Sequence, residues 1–164
     1  MEQKILLLGN PALYQTASAV VREDFSALPQ IIEDLHDTLL AFRQKYGAGR
    51  AIAAPQIGIQ KRILYMYIDH PIAFINPRLA FPDSEQMEVL DDCMSFPNLL
   101  VKVLRYKRCI IHYTDMDGQP CSMKLEGDLA ELIQHEYDHL DGILAVMRSI
   151  DTHSFYWKET PQHS

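Results

Sequence analysis

Two histidines four residues apart, in the stretch LIQHEYDHLDG from Leu132 to Gly142, form the most chemically informative feature of the sequence. On a helix, His135 and His139 share one face, so both imidazoles can bind a single metal ion. Glu136 follows His135, rotated by about 100° round the helix axis, where its carboxylate can reach a water on that ion without binding the ion itself. This H-E-x-x-H spacing is typical of metal-assisted amide hydrolysis. The alternative is a charged surface helix that carries two imidazoles and binds no metal.

A catalytic metal site needs a third protein ligand, because such sites use three and keep one position for water. Among the three cysteines, Cys93 is the best candidate, since its flanking sequence VLDDCMSFP is polar and turn-like. Cys109 adjoins the apolar stretch IIHY and is expected in the core or a sheet. We therefore predict a His2Cys site in which the metal keeps the thiolate deprotonated. Asp138, beside His139, is interpreted as a solvated surface charge, with a hydrogen bond to a metal ligand as the alternative.

The helix that carries the two histidines is predicted to begin near Asp128 and to be stopped by Gly142. Asp128 is expected to cap it, and Glu131 to complete a capping box. A long amphipathic helix is predicted over DFSALPQIIEDLHDTLLAFRQKYGAG. Strands are predicted in RILYMYID and IAFINPRLAFPD, and a hairpin turns at the Asp-Gly pair at 117–118. The predicted fold class is α+β, with antiparallel sheets around the central H-E-x-x-H helix.

Length and composition indicate one domain. The chain has 164 residues, and 48% of them are apolar, which is enough for a single core. We expect residues 1–150 to form a metallohydrolase domain and residues 151–164 a short, loose C-terminal tail. The net charge of −7 argues against sequence-specific or non-specific nucleic-acid partners. No membrane partner is expected, and an odd number of cysteines without a secretion signal indicates a cytoplasmic location.

Three stretches of the sequence together resemble the peptide deformylases, metal enzymes that remove the formyl group from the starting methionine of new bacterial chains. The third motif of that family, H-E-x-D-H after a glutamine, is intact in Gln134–His139. The second, usually Glu-Gly-Cys-Leu-Ser, appears as Asp-Asp-Cys-Met-Ser in Asp91–Ser95. The first, usually Gly-x-Gly-x-Ala-Ala-x-Gln, appears in Gly49–Gln56 with Ala51 in place of the second glycine. The resemblance extends over most of the chain, from about residue 5 to residue 148.

The resemblance implies a deformylase-like α+β fold and a role for each site residue. The implied metal ligands are Cys93, His135 and His139. They would hold one divalent ion, Fe(II) in the cell, and the same ligands also suit zinc, nickel or cobalt. Glu136 would take a proton from the attacking water and deliver it to the leaving amine. The side-chain amide of Gln56 and the backbone N–H of Met94 would donate hydrogen bonds to the oxyanion.

The implied substrate is the formylated N-terminus of a nascent polypeptide, and Gly49, Arg50 and Ala51 are expected to line its site. Arg50 is charged where the family generally has an apolar residue, so it is expected to bind a substrate carboxylate or to pair with Asp91 or Asp92. Two alternatives stay open: a related N-acyl amidohydrolase with altered substrate preference, and a non-catalytic metal-binding module. The chain is expected to be a monomer or homodimer, and its short tail does not predict a ribosome contact.

Overall fold

The computed structural model describes residues 1–158, which contain two antiparallel sheets and two α-helices. The helices are α1, Leu28–Tyr46, and α2, Asp128–Leu140. The strands are β1, Ala51–Ala53; β2, Ile63–Tyr67; β3, Pro71–Ala80; β4, Gln86–Cys93; β5, Phe96–Tyr106; β6, Arg108–Thr114; β7, Pro120–Glu126; and β8, Phe155–Trp157. The α+β class predicted from the sequence is confirmed. Within residues 1–158, no helix combines the length and apolar character that a bilayer crossing requires.

The larger sheet has the strand order β1-β2-β3-β6-β7 and packs against α2. Alternate strand residues face the helix. Leu64, Phe74 and Ile111 are among them, and they form one buried cluster with Ile133 of α2. The predicted hairpin joins β6 to β7, and Gly118 supplies the positive φ that its turn needs. This sheet therefore fixes the orientation of α2 and of the side chains on its other faces.

The smaller sheet has the order β4-β5-β8, and its β4–β5 turn carries the candidate cysteine. Cys93 pairs directly with Phe96, so only two residues form the turn, and the register shifts between Asp91 and Cys93. Strand β8 differs from the loose tail expected after residue 150, because Phe155–Trp157 pairs with β5. Pairing satisfies backbone groups at an edge that would otherwise be open. The last residues of the predicted tail, 159–164, lie outside the described part of the chain.

Helix α1 forms as the apolar spacing predicts, and it covers β1 and β2 with the buried side chains of Leu28, Leu35 and Leu39. Gly47 ends it in a left-handed conformation with φ of 72°. This glycine leads the chain directly into the first motif and β1.

Helix α2 is buried on most of its surface, since ten of its 13 residues are buried. Its polar side chains must therefore find partners within the protein. The predicted capping box is wrong: α2 begins at Asp128 itself, after Gly127 with φ of 63°, and no side chain caps it. At the other end, a Cβ on Gly142 would lie 2.5 Å from the carbonyl oxygen of Tyr14, which explains the glycine there.

Candidate metal centre

Cys93, His135 and His139 meet where the β4–β5 turn faces α2. Their candidate ligand atoms all lie within 4.8 Å of one another, and all three residues are buried. The Sγ atom of Cys93 is 3.4 Å from Nε2 of His139. A tetrahedral ion bound at about 2.3 Å to sulfur and about 2.0–2.1 Å to nitrogen would separate these atoms by roughly 3.5 Å. The donor set therefore fits one tetrahedral divalent cation.

Asp91 lies beside the imidazole of His135. Its Oδ1 is 3.0 Å from Nδ1 of His135, although off the line of the ring N–H, and its Oδ2 accepts a hydrogen bond of 2.7 Å from Arg105. Burial alone would raise the pKa of Asp91, but His135 and Arg105 lower it to about 2. A carboxylate so placed orients the imidazole and leaves its Nε2 for an ion.

Asp138 is not the solvated surface charge that the sequence suggests. It is buried, and its carboxylate accepts hydrogen bonds from Arg105 at 2.8 Å and from Arg148 at 2.5 and 3.0 Å. It makes no bond to a metal ligand either, because Nδ1 of His139 has no partner within residues 1–158. Asp138 instead balances the charge of the buried Arg105.

Glu136 presents a buried carboxylate to the same space. Burial is the main cause that raises its pKa to about 7, and its Oε1 has no hydrogen-bond partner in the described chain. A divalent cation nearby would favour the ionised form. Burial lowers the pKa of both imidazoles. For His135, Asp91 and Cys93 outweigh this effect and raise the pKa well above its ordinary value. For His139, the neighbouring His135 lowers the pKa further.

Gln56 brings a side-chain amide beside the cysteine. Its Oε1 accepts a hydrogen bond from the N–H of Ala53 at 2.9 Å, which directs its Nε2 towards Oγ of Ser95 at 3.2 Å and Sγ of Cys93 at 3.7 Å. The backbone N–H of Ser95 also donates to this sulfur, at 3.5 Å, a contact that the sequence analysis missed although Ser95 ends the second motif. Met94 lies between them in the turn and is buried.

A cleft of about 780 Å³ opens onto the cluster, and the predicted substrate residues Gly49, Arg50 and Ala51 line it. Its other lining residues include Glu131 and Leu132 of α2 and side chains from the end of α1. The first motif and the metal cluster thus share one cavity, as expected for a substrate site beside a reactive centre.

The expected pairing of Arg50 with Asp91 or Asp92 is wrong. Its guanidinium donates to Oε1 of Glu131 at 3.3 Å, whereas Asp91 pairs with Arg105 and Asp92 with Lys158. Burial raises the pKa of Glu131, Asp91 adds to this rise, and Arg50 opposes it. Glu131 is a cleft residue that the sequence does not predict, although it precedes His135 by four positions and so shares the face of α2 that carries this candidate ligand.

Three candidate ligands and a neighbouring glutamate are the arrangement expected of a metal-dependent hydrolase of the H-E-x-x-H class. The family model for polypeptide deformylases matches residues 2–154. The chain therefore belongs to the polypeptide deformylase family, which confirms the resemblance carried by its three motifs.

Known peptide deformylases are similar to this chain over most of its length. A peptide deformylase of Treponema pallidum (strain Nichols) is 38% identical over 147 residues, which are 88% of this chain and 86% of the relative. One of Dictyoglomus turgidum is 35% identical over 152 residues, 92% of this chain and 95% of the relative. The crystal structure of the Thermotoga maritima peptide deformylase superposes with a TM-score of 0.84 at 33% identity, covering 92% of this chain and 99% of that one. The Synechococcus elongatus enzyme in complex with actinonin also gives 0.84, at 31% identity and with 92% and 80% coverage.

Proposed function

We propose that this chain deformylates nascent polypeptides through one divalent ion held by Cys93, His135 and His139. As a peptide deformylase, it is a hydrolase that removes the N-formyl group from N-terminal formyl-methionine and releases formate. The water oxygen bonds to the formyl carbon, the carbon–nitrogen bond breaks, and the peptide amine gains a proton. The observation that carries the ligand assignment is the 3.4 Å separation between the sulfur of Cys93 and Nε2 of His139.

The chemistry of the ion follows from its ligands. When bound, a divalent ion there polarises the formyl oxygen and makes water a nucleophile at neutral pH. One thiolate and two imidazoles suit iron, zinc, nickel and cobalt, and we propose Fe(II) as the ion used in the cell. A thiolate site with iron would be sensitive to oxidation, which is consistent with the predicted cytoplasmic location.

Glu136 is proposed as the general base and acid. Support comes from its burial, its unpartnered Oε1 and its position directly after a ligand. Its carboxylate takes the proton from the attacking water and passes it to the leaving amine.

Gln56 and Met94 are proposed as donors to the tetrahedral oxyanion. Support for Gln56 is the hydrogen bond from Ala53, which holds its NH2 group towards Cys93. One such donor is typically worth about 3 kcal/mol of barrier. Gly49, Arg50 and Ala51 would then hold the substrate in the adjoining cleft.

A formate-release assay on a formyl-Met peptide, combined with metal analysis, tests these roles. Glu136→Gln should retain about one metal ion per chain and lose at least roughly 100-fold in kcat, because general acid–base catalysis contributes about 10²–10⁴-fold. Cys121→Ser, a change at a half-buried cysteine outside the cleft, is the control and should keep both metal and activity. A Glu136→Gln protein with unchanged kcat would remove Glu136 from the mechanism. A wild-type protein that holds metal and releases no formate would contradict the proposed function. Turnover of another N-acyl substrate would then favour the related amidohydrolase, and no turnover the non-catalytic module.

A further inference from the structure

An ion pair between Arg50 and Glu131 lies in the wall of the cleft, next to the candidate metal ligands. Both residues line the cavity, and Nη2 of Arg50 is 3.3 Å from Oε1 of Glu131. Glu131 precedes His135 by four residues, so it lies on the same face of α2, about 6 Å further along the helix axis. The pair is therefore about one helical turn away from the reacting centre.

The two side chains of this ion pair differ in their exposure to solvent. The side chain of Glu131 is 11% exposed and that of Arg50 is 42% exposed. Within residues 1–158, the contact with Glu131 is the only hydrogen bond that the Arg50 side chain donates. A guanidinium has five N–H donors, so most of them stay available to a molecule in the cleft. Ala51 and Leu132 supply apolar wall nearby.

A substrate whose formyl group lies at the ion can place its first side chain along this wall, because the candidate ligands and the Arg50–Glu131 pair line the same cleft. A side chain of methionine length extends about as far as one helical turn, which is the separation between His135 and Glu131. Its end would then meet the donors of Arg50. A neutral acceptor suits this position better than a carboxylate, which would also face Glu131, and hydrogen bonds from Arg50 would offset part of the cost of taking the acceptor out of water.

We propose that Arg50 and Glu131 form the end of the pocket for the substrate's first side chain, an inference that rests on the proposed function. This pocket takes side chains of methionine length that end in a neutral hydrogen-bond acceptor. Peptides beginning with formyl-methionine sulfoxide or formyl-glutamine belong to this class. Oxidation of methionine to the sulfoxide makes the side chain polar, so the enzyme would deformylate chains whose first residue has been oxidised. Unmodified methionine still packs on Ala51, Leu132 and the aliphatic stem of Arg50.

The test compares kcat/KM for formate release from four peptides that differ only in the first residue: formyl-Met, formyl-norleucine, formyl-Met sulfoxide and formyl-Gln. Norleucine has the length of methionine and no acceptor. The wild-type enzyme should cleave the sulfoxide and glutamine peptides within about tenfold of the norleucine peptide. Arg50→Leu/Glu131→Leu makes the wall apolar without leaving an unpaired charge, and the ratio of sulfoxide to norleucine should fall by at least about tenfold, because the acceptor is then buried without a donor.

Arg108→Leu/Glu126→Leu is the matched control. It removes the ion pair of 3.1 Å between β6 and β7, together with the pairs that Arg108 makes with Asp83 and Glu85. All of them lie away from the cleft, so the ratio should not change. The comparison of the four peptides with the wild-type enzyme tests the inference without any variant. A double variant that fails to fold therefore does not weaken the test. A wild-type enzyme that cleaves formyl-Met but prefers norleucine over both acceptor side chains by about 100-fold would overturn this inference alone. Absence of formate from all four peptides would overturn the proposed function as well.

Discussion

Cys93 and Cys109 show how the surroundings of a thiol decide its chemistry. The sulfur of Cys93 lies close to the N–H groups of Ser95 and Gln56 and to Nε2 of His139, so it faces the position where an ion would bind. Cys109 lies in the core beneath α2, where burial raises its pKa to about 11. A thiol with that pKa is almost wholly protonated at neutral pH and is a poor nucleophile.

Removal of the metal should therefore change the reactivity of one cysteine only. In native protein at neutral pH, Cys93 should resist iodoacetamide while metal is bound and become alkylated after treatment with a chelator, because the ion no longer occupies the thiolate. Cys109 should stay unmodified in both samples, and labelling of Cys121 should not respond to the chelator. Mass spectrometry of the tryptic peptides measures each site. Equal labelling of Cys93 with and without metal would show that its sulfur is not a ligand.

Arg105 of β5 joins the two elements that carry the candidate metal ligands. It donates to Asp91 at the end of β4 and to Asp138 on α2, at 2.7 and 2.8 Å. Both carboxylates and the guanidinium are buried. This bridge keeps the β4–β5 turn, and with it Cys93, in place against the helix.

Arg105→Leu should destabilise the fold by roughly 3–5 kcal/mol, because it leaves the buried Asp91 without its cation. The affinity for metal should fall by about 10–100-fold as well, since the residue that orients His135 loses its own partner. Urea unfolding and competition with a chromophoric chelator measure the two effects. Arg78→Leu, at an exposed arginine on β3, is the control and should change neither. A loss of stability below about 1 kcal/mol for Arg105→Leu would contradict the bridging role.

The sequence predicts well those features that depend on local spacing. The helical period alone brings His135 and His139 onto one face, and the Asp-Gly pair at 117–118 alone predicts the β6–β7 hairpin. By contrast, Asp138 meets Arg105 across 33 residues of sequence, and nothing in its neighbours distinguishes it from a surface charge. The pairing of Arg50 with Glu131 spans 81 residues of sequence, and the residues around either side chain do not predict it either.

The molecule as a whole brings its site together from distant segments. Helix α2 is held by the five-stranded sheet on one side, and the smaller sheet brings the turn with Cys93 to its other side. The family match over residues 2–154 covers all of these elements except β8. The division of the chain at residue 150 and a monomeric or homodimeric state stay predictions.

The location of the ion in a crystal of the zinc-loaded protein tests the central assignment most directly. Anomalous diffraction at the zinc edge should give one strong peak in the cleft, about 2.3 Å from Sγ of Cys93 and about 2.0–2.1 Å from Nε2 of both His135 and His139. A peak bound elsewhere on the chain, or one from which the sulfur of Cys93 is separated by more than about 3 Å, well beyond a zinc–sulfur bond, would contradict the proposed metal centre.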